Sequence, residues 1–158
     1  MQHLDDDYRR LKAFFEFYNA AYRDLGSLPP ELRPMHLLAA QEKEDPKRAV
    51  ANVRTSVNQI VAQSFRWSPM HIACVEAELS ARGIVSLAAL RDRFQRDYKA
   101  IVERGELADL VDYYMARDLV ADTRPATKRE REALERMMAV FEVSEVARFR
   151  ESRPPGAC

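Results

Sequence analysis

Residues 45–65, DPKRAVANVRTSVNQIVAQSF, decide the fold. Asp45 followed by Pro46 is helix-start chemistry: a side-chain acceptor at the N-cap, then a proline at the first helical position, where a missing N–H is no loss. From there Val50, Val53, Val57, Ile60 and Ser64 recur at alternating three- and four-residue spacings, and Val61 widens the stripe. Arg54 is the only charged side chain between residues 51 and 65. A helix with one apolar seam and so little charge belongs in the middle of a packed structure. It is expected to run to about Arg66.

The same punctuation recurs on both sides. Downstream, RWSPMHIAC (66–74) repeats the start signal at Ser68-Pro69, so that a second helix runs from Pro69 to a stop at Gly83. Ser86 caps the next helix, whose apolar positions are Leu87, Leu90, Phe94, Tyr98 and Ile101. A further helix is expected over about Glu106 to Ala121, burying Leu107, Leu110, Val111, Tyr114 and Met115 and turning Asp109, Asp112 and Asp118 outward. Thr127 with Glu130 forms a capping box that opens a last helix carrying Leu134, Met137, Met138 and Phe141 inward and continuing toward Phe149.

Upstream, Leu4, Tyr8, Leu11, Phe15, Tyr18, Tyr22 and Leu25 draw one stripe along a first helix, with acids at its start and Gly26 at its stop. Phe14 widens that stripe. Phe17 lies roughly 120° away from Leu11 and so needs a second partner or stays exposed. After the proline-rich connector SLPPELRP, MHLLAAQEK forms a short helix with Met35, Leu38 and Ala39 inward.

With 158 residues, 47% apolar, 32% charged and four glycines, the chain is expected to be all-α, a single-domain bundle of about six helices over residues 1–150 with a flexible tail at 151–158. Cys74 and Cys158 imply no disulfide framework. An acidic start and charge-free runs of about ten residues predict neither export nor membrane insertion, which leaves the cytoplasm. Formal net charge is zero but unevenly spread, with 10 basic against 5 acidic residues over 46–104 and 1 against 5 over 105–122.

Each candidate site competes with a plainer role. His71, Cys74 and Glu78 lie along one side of a helix and are all metal-ligand types, but a structural zinc site wants four ligands, so no metal is expected. Cys74 also aligns with Met70, Ala77 and Ala81, a small-residue face suited to close helix packing, where the thiol would be a buried small hydrophobe. His71 with Glu78 is the best acid–base pair available should the chain be an enzyme. Phosphate loops, nucleophile elbows, EF-hand loops and paired cysteines are absent from the sequence, so no cofactor is expected either.

The helix 86–104 offers Arg91, Arg93, Arg96, Lys99 and Arg104 to phosphates, which would suit a nucleic-acid-binding regulator. Interleaved acids at i,i+4 spacing read instead as an ordinary solvated face. Asn52, Ser56, Gln59 and Gln63 line one side of the central helix with uncharged hydrogen-bonding groups. Together with Phe17 they are the expected partner-binding residues. The function favoured by these patterns is a non-enzymatic cytoplasmic interaction protein, an adaptor, inhibitor or immunity-type binder, docking a protein partner or a second copy of itself.

Overall fold

A computed structural model describes residues 2–122 and 124–152, with side chains from residue 5 onward. The side chain of Leu4, at the head of the first stripe, and residues 153–158 of the expected tail lie outside what is described. Among the described residues there are helices and connecting turns but no strand: α1 (Gln2–Tyr22), a 3-10 turn (Pro30–Leu32), α2 (Pro34–Glu44), α3 (Pro46–Ser64), α4 (Pro69–Ala81), α5 (Leu87–Arg104), α6 (Leu110–Ala121) and α7 (Lys128–Ser152). The count is therefore seven among the described residues where about six were expected, and the short helix expected over 35–43 runs from Pro34 to Glu44. Residues 151 and 152, expected in the tail, complete the last turn of α7.

The chain divides into two compact units, Met1–Phe94 and Gln95–Cys158, with the boundary inside α5. In the first, α1 and α2 both pack against α3. Val53, Val57, Ile60, Val61 and Ser64 of α3 are buried as expected of the seam, but at the start of the helix it is Ala49 that is buried, while the expected Val50 is only half-buried. Opposite them α1 buries Leu11, Phe14, Phe15 and Phe17. In the second unit α6 and α7 pack together, with Met115, Leu119, Leu134 and Phe141 buried.

Capping side chains set the boundaries. Asp45 Oδ1 accepts from Arg48 N, Ser68 Oγ from His71 N, and Thr127 and Glu130 exchange reciprocal backbone bonds. Gly83, at φ +66°, ends α4 with the paired bonds Ile84 N to Leu79 O and Gly83 N to Ser80 O, a geometry that an L side chain resists. α5 then starts on a double cap. Ser86 Oγ accepts from Ala89 N, while the carboxylate of Glu76, reaching over from α4, accepts from Leu87 N at 2.5 Å and Ala88 N at 3.3 Å.

Two boundaries differ from expectation. α1 stops at Tyr22 rather than near Gly26, where Asp24 Oδ1 accepts from Gly26 N. α6 begins at Leu110 rather than Glu106, because Asp109 is its N-cap and accepts from Asp112 N. Leu110 is consequently left 53% exposed instead of buried.

Asp7 ties three helices of the first unit. It is bonded to Arg93 of α5, through a second contact at 2.9 Å, and faces Arg54 of α3 at 3.5 Å. Hydrogen bonding from Arg93 and the two positive charges hold its carboxyl below the usual value of 3.8, against a smaller opposing effect of burial. A folded-state value below the unfolded one means that this contribution is present above about pH 4 and is lost as pH falls through the lowered value. Asp7→Asn should therefore lower the urea midpoint at pH 7, and its difference from wild type should narrow as pH falls below about 4. A pH series of urea unfolding curves checks this. In the same assay Glu76→Ala, which strips the second cap from α5, should cost about 1–2 kcal/mol.

Candidate functional site

α2 and α3 enclose a groove of about 520 Å³ in the first unit. Phe15 and Leu38, both buried, and Val53 make its floor, and Leu37, half exposed, makes the outer wall. Its polar edge comes from Gln41, Asn52 and Ser56, with Glu44 at one end. Asn52 Nδ2 donates to Gln41 Oε1 at 2.8 Å. This single bond leaves Asn52 Oδ1 as an acceptor and Gln41 Nε2 as a donor, the complement of one backbone peptide unit.

The expected polar row is thus only partly one site. Asn52 and Ser56 line the groove, whereas Gln59 and Gln63 lie exposed one and two turns further along α3, outside its lining. The helix α2 supplies half the groove and carries residues that the sequence reading passed over, Leu37 and Gln41 foremost. Gln41 sits eleven residues before Asn52, a separation that periodicity within one helix cannot register.

Phe17 is not exposed. Its ring is 3% accessible, with Tyr22 edge-on at 6.0 Å and the Arg82 guanidinium 5.3 Å from its centroid. The second partner that its angle demanded is supplied from within the chain, which removes Phe17 from any docking surface.

The basic helix is also largely engaged. Arg91 donates to Ser64 Oγ and Ser64 O and lies over the Phe65 ring, Arg93 binds Asp7, and Arg104 binds Glu106 O and Asp112. Only Arg96 and Lys99 of the five remain exposed without an ion pair among the described residues.

The stretch RWSPMHIAC forms an aromatic junction. Trp67 stacks on Tyr18 at 6.0 Å, and the His71 ring stands edge-on between Trp67 at 4.5 Å and Tyr22 at 5.4 Å. Glu78 accepts from Tyr22 Oη at 2.9 Å. Burial, then that hydrogen bond, pushes the Tyr22 phenol up to about 12. With Glu78 committed to Tyr22, His71 and Glu78 form no hydrogen-bonded pair. No group of three or more metal-ligand side chains is present among the described residues. Cys74 and Ala77 are exposed, as is Met70 at 78%, so the small-residue face of α4 looks to solvent and the expectation of a buried thiol is corrected. The buried face of α4 is that of Val75 and Leu79.

No protein-family model matches the chain, and no curated protein and no solved structure matches it significantly. Among the described residues no helix is long and apolar enough to cross a membrane.

Phe17→Ala removes a buried ring and should cost about 3–5 kcal/mol of folding stability. Thermal and urea unfolding measure it; a loss below about 0.5 kcal/mol, the range of surface substitutions, would contradict the burial.

Proposed function

We propose that the chain is a non-enzymatic cytoplasmic interaction protein that holds a protein partner in the α2–α3 groove. The supporting observation is the Gln41–Asn52 amide pair set at the edge of an apolar trough. Such a pair offers one donor and one acceptor in fixed register, as a backbone segment requires, while Phe15, Leu38 and Val53 provide apolar contact and Leu37 an exposed anchor. The mechanism is docking on a preformed surface, in which water leaves the trough and the polar edge sets orientation.

An enzymatic reading finds less support, since Glu78 is committed to Tyr22 and neither His71 nor Glu78 lines this groove. Of the five α5 cations that a nucleic-acid reading would use, Arg96 and Lys99 remain exposed without an ion pair among the described residues.

A photoreactive side chain at Ser56 in the full-length protein should give a discrete crosslinked product in native-cell extract that survives nuclease. Leu37→Asp, at a half-exposed position, should abolish the product while leaving the circular dichroism spectrum unchanged. A product that disappears with nuclease, or one formed equally from exposed Glu132, would count against the proposal.

A further inference from the structure

The second unit holds a groove of different chemistry, about 530 Å³ in volume. One wall is α7, whose Ala133, Met137, Val140 and Ser144 line it at spacings of four, three and four residues. The other is the end of α5 at Val102 and the turn that follows it. A four-three-four row of small and medium side chains is the spacing with which one helix receives another. Val140 is 68% exposed within this row, a large apolar side chain without cover.

Two arginines bracket the row. Arg136 and Arg148 both line the groove, separated by about 18 Å along the helix axis. Arg136 is exposed and makes no hydrogen bond or ion pair among the described residues. Arg148 pairs with Glu145 at 3.0 Å, with side chains 73% and 39% exposed, so the pair is weak and its guanidinium remains open to a further acid. Glu106 is the only acidic residue of the lining among the described residues.

We infer that this groove receives an acidic amphipathic helix from a partner protein, with its apolar seam against Met137 and Val140 and its carboxylates on Arg136 and Arg148. Charge selects this occupant. A second copy would lay its own α7 here, and an antiparallel pair centred on the groove sets Arg136 opposite the Arg148 of the other copy, whereas a parallel pair sets each arginine against itself. Like charges meet in both arrangements, and an acidic helix meets neither penalty.

The inference does not depend on the α2–α3 groove and is tested separately. The probe is a fluorescein-labelled synthetic helix of about 18 residues, with leucines at four-three-four spacing and glutamates flanking the seam at the separation of Arg136 and Arg148. A second peptide carries lysines in place of those glutamates. Fluorescence anisotropy with the full-length protein should show the glutamate peptide binding at least about tenfold more tightly than the lysine peptide. The double variant Arg136→Glu/Arg148→Glu should reverse that preference, and Val140→Asp should weaken the glutamate peptide by about tenfold. All three substituted positions are exposed, so unchanged circular dichroism serves as the folding control. Equal affinity for the two peptides, a preference that survives the double reversal, or no saturable binding of either would overturn the inference. So would a dimer in sedimentation that Val140→Asp dissociates, which would make a second copy the occupant.

Discussion

The burial of one face of α3 is the constraint on which the first unit depends. Ala49, Val53, Val57 and Ile60 are no more than 2% exposed, and α1 and α2 are both placed by what they lay against this row. The adjoining flank of Asn52, Ser56, Gln59 and Gln63 is polar yet uncharged, so it projects no long charged side chain over the α2–α3 groove. Had Asn52 or Ser56 been lysine or glutamate, the trough would be covered or strongly signed. Arg54, the one charge in the middle of this helix, is drawn to Asp7 instead.

Much of this was legible because it is local. Cap residues and their bonding partners lie within three positions of each other, so Asp45, Ser68 and the Thr127–Glu130 box could be read directly and stand as expected. The five apolar positions of α5 are likewise all buried, since a periodic stripe records its own inward direction. Asp109 was equally local, but its place in an acid-rich segment made it resemble a solvated face, although Asp112 three residues on is the donor that makes it a cap.

What escaped is what depends on pairs distant in sequence. Phe17 falls outside the main stripe of its own helix, and Arg82, 65 residues on, reaches its ring beside Tyr22. Arg91 and Arg93 look like free cations until Ser64 and Asp7 approach them from other helices. α4 misled for a further reason: it is apolar nearly all round, so that composition could not say whether Cys74 or Val75 faces inward. Among the described residues the two grooves differ in lining, one edged by amides and uncharged except at its end, the other bracketed by arginines.

Native-state hydrogen exchange of the full-length protein tests most directly the claim that α3 is the frame of the groove. Amides from Val53 to Val61 should exchange only through global unfolding, while those of α2 around Leu37 to Gln41 should also open locally at a lower free energy. If the α3 amides exchange through local opening as readily as those of α2, the groove has no rigid wall and the account fails.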